Sequence, residues 1–220
     1  MPVWKLLLPP IAYMLGNFNA GIVLSRLFFK KDIREHGSKN PGATNAFRVL
    51  GKATGVLVLF ADACKGAAAA LLTKWLLPGD ELWAAAAGFC AVLGHVFPVL
   101  YKFRGGKGVA TASGVTAAAQ PKVMFTLLGP FFAILFGTRY MSLASVSVAA
   151  LLPLASLAWN RWQFTPIVWM SLAQGLLVIL MHRGNIRRLV NHSESRLFEK
   201  KAKGEVKEER EKIEAQRRYP

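Results

Sequence analysis

Acidic residues are scarce in this chain: 12 Asp and Glu stand against 28 Lys and Arg in 220 residues. Only six acids precede residue 196, and Asp62 alone lies inside an apolar run. No pair of carboxylates is therefore placed to hold a divalent cation for phosphoryl transfer, and no metal is expected. Cysteine is nearly absent. Cys64 and Cys90 both sit in apolar runs, where cysteine is expected as a small buried hydrophobe, and a disulfide framework is excluded. None of the four histidines begins a His-x4-Asp pattern, since Pro41, Leu100, Arg187 and Leu197 follow at the fifth position. Gly-x-Ser-x-Gly is missing. Lys107 is followed by Gly108 and lacks the Gly-x4-Gly-Lys spacing of a phosphate-binding P-loop. The charge of +16 would suit nucleic acid, but no zinc spacing, RRM or helix-turn-helix pattern accompanies it, so no nucleic-acid partner is expected.

Long apolar runs are abundant. Hydrophobic residues make up 53% of the chain and the mean hydropathy is +0.32, well above a soluble domain. Segments of bilayer length lie at roughly 3–25, 53–77, 82–101, 108–119, 122–138, 141–159 and 163–182. Seven spans are expected, with five or six as the alternative because 108–119 is short and rich in Ala, Thr, Ser and Gly. The fold class is thus an all-α integral membrane protein, with a single transmembrane domain over 1–195 and a charged tail over 196–220. The first segment carries Pro9-Pro10 and no small-x-small cleavage site, so it reads as a retained helix.

Arg26, Lys30, Lys31, Arg34, Lys39, Arg48, Lys52, Lys102, Arg104, Lys107 and Arg139 fall on one side of these spans. Positive residues favour the cytoplasm, which predicts an outside N-terminus and a cytoplasmic C-terminus. Such a surface suits membrane lipid and phosphorylated substrates. In the tail, Glu208/Lys212 and Glu214/Arg218 have the spacing of a solvated helix.

Five constellations gather on that side. The first is Gly37-Ser-Lys-Asn-Pro-Gly-Ala-Thr-Asn-Ala-Phe-Arg48. Asn-Pro-Gly is a turn signal in itself. The loop, however, sets Ser38, Asn40, Thr44 and Asn45 beside flexible backbone that can turn N–H groups onto an anion. The second is Asp62 with Lys65, three apart on one helix face, which serves either as a neutralising pair or as a carboxylate that aims an ammonium at the anion. The third is Gly94-His95-Val-Phe-Pro98 with Phe103-Arg-Gly-Gly-Lys-Gly108. Gly105, Gly106 and Gly108 allow close backbone approach to an oxyanion and Arg104 and Lys107 supply charge, while His95 reads as a structural histidine. The fourth is Arg139-Tyr-Met-Ser142, where Ser142 is either a helix cap or a hydrogen-bonding ligand. The fifth is His182-Arg-Gly-Asn-Ile-Arg-Arg-Leu189. Its arginines suit membrane anchoring, whereas His182 and Asn185 share a face without that excuse.

Taken in order over about residues 5–198, these motifs resemble the bacterial acyl-phosphate:glycerol-3-phosphate acyltransferases of the PlsY family. The resemblance implies a seven-helix enzyme of the bacterial inner membrane, working at its cytoplasmic side. It would transfer an acyl group from acyl phosphate to the sn-1 hydroxyl of glycerol 3-phosphate, giving lysophosphatidic acid without acyl-CoA or acyl carrier protein. By the same resemblance Ser38 and Arg48 are essential, Gly105 to Gly108 bind glycerol 3-phosphate, and Glu194 maintains structure. The chain departs from the family with Lys39 where glycine is usual and with His192-Ser193-Glu194 where Gly-Thr-Glu is common.

The assignment that follows makes Ser38, Arg48 and Lys107 catalytic. Acyl phosphate is held by Ser38, Lys39, Asn40, Gly42, Ala43, Thr44, Asn45, Arg48 and Lys65. Glycerol 3-phosphate is held by Arg104, Gly105, Gly106, Lys107, Gly108, Ser142, His182 and Asn185. Asp62 and Glu194 are structural. No cofactor is expected, and the chain is expected to act as a monomer. Acyl phosphate is already activated, so its own phosphate is the expected proton acceptor, with His182 as the alternative base. Two rivals are a phosphate transporter, which inverted repeats would mark, and a structural protein that binds anionic lipid.

Overall fold

The computed structural model describes residues 3–197, and every regular element among them is helical. The tail pattern at Glu208/Lys212 and Glu214/Arg218 lies outside the described residues. Ten α-helices follow in order: α1 Leu8–Asn17, α2 Ala20–Phe29, α3 Ala43–Val49, α4 Lys52–Leu76, α5 Glu81–Val96, α6 Val109–Ala119, α7 Pro121–Thr138, α8 Met141–Trp159, α9 Pro166–Met181 and α10 Arg183–Val190. Five stretches are long and apolar enough to cross a membrane: Val3–Phe29, Lys52–Leu76, Glu81–Tyr101, Pro121–Thr138 and Met141–Trp159. A sixth arises if α9 and α10, bent by 58°, count as one span.

Helix α6, at 11 residues, is about 16 Å long, half of a bilayer core of about 30 Å. It is buried among neighbours instead, starting at Gly108 (φ +85°) and ending before Pro121, the first residue of α7. Glycines let it lie backbone to backbone on α4. A Cβ on Gly114 would meet the Ala63 carbonyl oxygen at 1.9 Å, and one on Gly66 would meet that of Thr111 at 2.2 Å. The α1/α5 contact works the same way, with Gly16 on Ala91 and Gly94 on Tyr13. In lipid, where no hydrophobic effect drives helices together, such close approach supplies the packing.

The other face of α4 is turned to lipid: Val56, Leu57, Leu59 and Phe60 are exposed. Cys64 shares that exposure, so its expected burial is corrected. It stands on the outward stripe of the helix rather than on the stripe that meets α6.

The first span breaks at Phe18, where Asn19 caps α2. Lys65 repairs this break, donating from Nζ to the Phe18 carbonyl at 2.6 Å. The same ammonium lies 2.8 Å from Asp62 Oδ1 and 2.8 Å from His95 Nδ1, and all three side chains are buried. A second buried knot joins the far ends of the helices: Gln120 donates to Ser171 Oγ at 2.8 Å and accepts from Ser156 Oγ at 2.6 Å.

Candidate active site

Four connections meet at the end of the bundle opposite Gln120: the 30–51 segment, the 97–108 loop, the Arg139–Tyr140 corner and residues 182–197. Hydrogen bonds tie them together. Arg34 Nη1 donates to the Tyr101 carbonyl (3.2 Å), Arg48 Nη2 to the Ser195 carbonyl (3.1 Å), and the Leu197 amide to the Arg139 carbonyl (2.9 Å).

The 37–48 loop is half turn and half helix, because α3 begins at Ala43 with Gly42 as its cap. Asn45, on α3, is buried and organises the rest. Its Oδ1 accepts the Ser38 amide at 2.9 Å, and its Nδ2 donates to the His36 and Ile33 carbonyls at 3.0 and 3.3 Å. Asn40 Oδ1 accepts the Gly42 amide at 2.9 Å, closing an Asx turn. The side chains of Asn40 and Asn45, expected on the phosphate, are thus occupied in shaping the loop. The hydroxyls of Ser38 and Thr44 make no hydrogen bond among the described residues.

The 97–108 loop is seated on His95. The Gly106 amide donates to the His95 carbonyl at 3.1 Å, and a Cβ on Gly106 would meet His95 Nε2 at 2.1 Å. Only glycine permits that contact. The loop then turns Lys107 inward, where Nζ donates to Asn185 Oδ1. Asn185 Nδ2 in turn donates to Glu194 Oε1 at 2.6 Å, and Arg188 Nε donates to Glu194 Oε2 at 2.7 Å. Burial pushes the Lys107 ammonium down to about 8; Glu194 opposes this, and Arg188 and Arg48 add to it by repulsion. Burial tends to raise the Glu194 carboxyl, but the Asn185 hydrogen bond, the nearby Ser142 hydroxyl and the Arg188 hydrogen bond win and hold it below the ordinary glutamate value.

Two buried polar side chains complete this corner. Ser142 Oγ neighbours Glu194 and has no partner of good geometry among the described residues. The His182 ring nitrogen Nδ1 lies 2.7 Å from the Val178 carbonyl. A carbonyl only accepts, so Nδ1 carries the proton and Nε2 of the neutral ring presents a lone pair. His182 is within electrostatic reach of both Lys107 and Glu194.

Arg48, Lys107, Ser142, His182, Asn185 and Glu194 are therefore brought together. Lys65 is not. Its ammonium donates to the Phe18 carbonyl, pairs with Asp62 and lies against His95 Nδ1, so the side chain expected on the phosphate is engaged in a buried cluster inside the helices. Lys39, Arg104 and Gly105 line a different cleft with Arg26, Arg34 and Tyr101, so they stand apart from the Lys107 corner. Arg188 was expected only as a membrane anchor, yet it grips Glu194. Its position three residues after Asn185 was the available signal. Among the described residues no three His, Cys, Asp or Glu cluster as metal ligands.

Comparison with known proteins places this geometry. The family description "Glycerol-3-phosphate acyltransferase" matches residues 6–192. Glycerol-3-phosphate acyltransferase 2 of Bacillus cereus is 44% identical over 195 residues, covering 88% of this chain and 96% of the relative. The glycerol-3-phosphate acyltransferase of Burkholderia pseudomallei is 38% identical over 193 residues, covering 88% and 95%. Among solved structures, the integral membrane glycerol 3-phosphate acyltransferase PlsY (YgiH) in its glycerol 3-phosphate form superposes with a TM-score of 0.82. It is 39% identical and covers 87% of this chain and 94% of that one. The same protein in its lysophosphatidic acid form gives a TM-score of 0.79 at 38% identity.

Proposed function

This chain belongs to the glycerol-3-phosphate acyltransferase family, and we infer from that premise how its multi-pass membrane domain acylates glycerol 3-phosphate to lysophosphatidic acid. The proposed donor is acyl phosphate. The site would face the cytoplasm at the inner membrane of a bacterium, and the chain would act as a monomer.

One observation carries the reading. The buried Ser142 hydroxyl, next to Glu194, and an imidazole lone pair (His182) stand beside two cations, Lys107 and Arg48. This pairing suits a small polyol phosphate. The cations meet its phosphate, while Ser142, His182 and Asn185 meet its hydroxyls. Two phosphorylated substrates would repel each other strongly without such compensation.

The acyl phosphate is assigned to the 37–48 loop. Ser38 and Thr44 offer hydroxyls, and the backbone at Ala43 and Thr44, the first turn of α3, offers N–H groups. Arg48 lies between the two phosphates. The sn-1 oxygen of glycerol 3-phosphate attacks the acyl carbon, forming the ester C–O bond. The bond from that carbon to the phosphate oxygen breaks, and the electron pair leaves with the phosphate. The departing phosphate takes the hydroxyl proton and leaves as inorganic phosphate, so no covalent acyl-enzyme forms. The chain's part is positioning and cationic stabilisation. A second route has His182 Nε2 accepting the proton, which the hydrogen bond from Nδ1 to Val178 favours.

Purified protein given palmitoyl phosphate and radiolabelled glycerol 3-phosphate, with palmitoyl-CoA as the competing donor, tests the reading. Labelled lysophosphatidic acid is expected from palmitoyl phosphate alone. Product from palmitoyl-CoA alone would overturn the donor assignment, and no product from either donor with folded protein would overturn the mechanism. His182→Gln separates the two proton routes: substrate assistance retains most of kcat, whereas a base role loses it.

A further inference from the structure

Beside the Lys107 corner lies a second basic cavity to which the proposed acyl-transfer mechanism assigns no step. It is a cleft of about 660 Å3 between the 26–39 segment and the 100–105 loop, lined by five basic side chains against the two carboxylates of Asp32 and Glu35. Asp32 accepts from Arg34 Nη2 at 2.7 Å and from Arg26 Nη2 at 2.8 Å, and Arg34 reaches across to the Tyr101 carbonyl. Those contacts hold the cleft walls in place. The Arg34 hydrogen bonds keep the Asp32 carboxyl far below the usual carboxylate range, with Arg26 reinforcing them against burial. The three remaining cations, Lys39, Lys102 and Arg104, have no side-chain partner among the described residues.

Two of these lysines occupy backbone that disfavours them. Lys39 has φ +59° and Lys102 has φ +57°, in the left-handed region that glycine enters freely and a lysine does not. Phe103 follows at φ +58°. Such strain concentrates where a side chain has work to do. Here it sets two unpaired ammonium groups on the same cleft.

The rim shows what kind of molecule reaches it. Leu100 lines the cleft and is 63% exposed, and Leu27, Phe28 and Phe103, chain neighbours of the lining residues Arg26, Lys102 and Arg104, are 69, 73 and 61% exposed. In a chain that spans a bilayer, exposed apolar side chains at the ends of spans meet acyl chains. The cleft therefore joins cations in the headgroup layer to an apolar edge. Basic pockets between transmembrane helices recognise anionic headgroups. We propose that this cleft is a second anion site, holding the phosphate-monoester headgroup of a membrane lipid whose chains lie over the exposed Leu100 at its edge. It is separate from the Lys107 corner: residues of the 100–105 stretch line the cleft, whereas Gly106 is seated on the His95 ring and Lys107, absent from the cleft lining, reaches Asn185. The inference rests on the membrane embedding of the chain, not on the donor assignment.

The test uses the full chain in phosphatidylcholine nanodiscs, titrated with phosphatidic acid bearing a fluorescent tail. Saturable binding is expected for the unmodified protein. The Lys39→Gly/Lys102→Gly variant removes both charges and relieves both left-handed positions, so its melting temperature should hold or rise. Its affinity should fall by about thirtyfold, as expected for two lysine–headgroup interactions. Lys107→Ala should retain the binding. Inorganic phosphate and glycerol 3-phosphate at the same concentration should not displace the lipid. Equal affinity in the glycine variant would overturn the site, and loss of binding in Lys107→Ala would move the lipid to the catalytic corner. Displacement by either soluble phosphate would make it a site for free phosphate rather than lipid.

Discussion

The carboxylate of Glu194 takes the Nδ2 of Asn185 at 2.6 Å and thereby turns Asn185 Oδ1 toward Lys107. An amide has one donating and one accepting end, so fixing one end assigns the other. Arg188 holds the second carboxylate oxygen, and the orientation of the proposed phosphate-binding lysine is set three links away. Glu194→Ala should raise KM for glycerol 3-phosphate and lower kcat/KM by about 10–100-fold, the range of a lost charge-assisted hydrogen bond. Glu194→Gln keeps an acceptor for Asn185 and should recover part of that loss. Steady-state kinetics with palmitoyl phosphate held saturating reads both.

In its proposed phosphate-binding role, Lys107 should set an alkaline limit on activity. With its ammonium pushed down to about 8 by burial, the free site loses a cation as pH rises through that value. The kcat/KM for glycerol 3-phosphate should fall above it. A bound phosphate favours the charged form, so the kcat limb should lie at higher pH. Stability runs the other way. Between about 8 and the ordinary lysine value of 10.5 the unfolded chain binds the extra proton, so the folded protein gains stability as pH rises through that window. A pH–rate profile and melting curves across this range check both signs, and Lys107→Arg should flatten the kinetic limb.

Asn45 should matter through the shape of its loop. Asn45→Ala removes one acceptor and two donated hydrogen bonds from a buried side chain. It should cost about 1–3 kcal/mol of stability and lower kcat as the Ser38 amide comes free. The melting temperature in detergent measures the first effect. A drop in kcat with no change in melting temperature would show direct contact with substrate instead.

The membrane spans were legible in the sequence because hydropathy is a local property. The expected 53–77, 122–138 and 141–159 became Lys52–Leu76, Pro121–Thr138 and Met141–Trp159. The break at Phe18 was not legible, since it depends on a partner elsewhere in the chain. The Phe18 carbonyl is satisfied by Lys65, 47 residues on. The site divides in the same way. Residue chemistry pointed to Lys107, His182 and Asn185, and the family resemblance to Glu194, but Lys107 and Asn185 stand 78 residues apart and spacing says nothing of their contact. Charge equally suggested Lys39, Lys65 and Arg104. Which cavity each cation faces is decided by helix packing, and that separated them from Lys107.

Lys65 offers a clean contrast. Lys65→Met leaves Asp62 buried beside His95 and should destabilise the fold by about 3–5 kcal/mol, the cost of breaking a buried ion pair on one side. Asp62→Asn combined with Lys65→Met should recover much of that loss. A phosphate ligand would show the opposite pattern, with normal melting and a raised KM, so melting and kinetics of the three variants distinguish the roles.

Gly106 is the position where a single methyl group is decisive. Gly106→Ala sets a Cβ at 2.1 Å from His95 Nε2, whereas Gly137→Ala meets nothing within 4 Å. The first should abolish most activity by lifting the loop that carries Lys107. The second should leave kcat near the unmodified value. Parallel assays of both variants check the pair.

The bond from Arg48 to the Ser195 carbonyl joins residues 147 positions apart, and the Leu197 amide closes the same seam on Arg139. Translation makes the 37–48 loop early and residues 194–197 late. A nascent chain can insert all of its long helices and still lack the carboxylate that orients Asn185. Assembly of the proposed catalytic corner should therefore be timed by chain elongation: membrane insertion comes first, and competence for acyl transfer is expected only once residues 194–197 have joined Arg48 and Arg139.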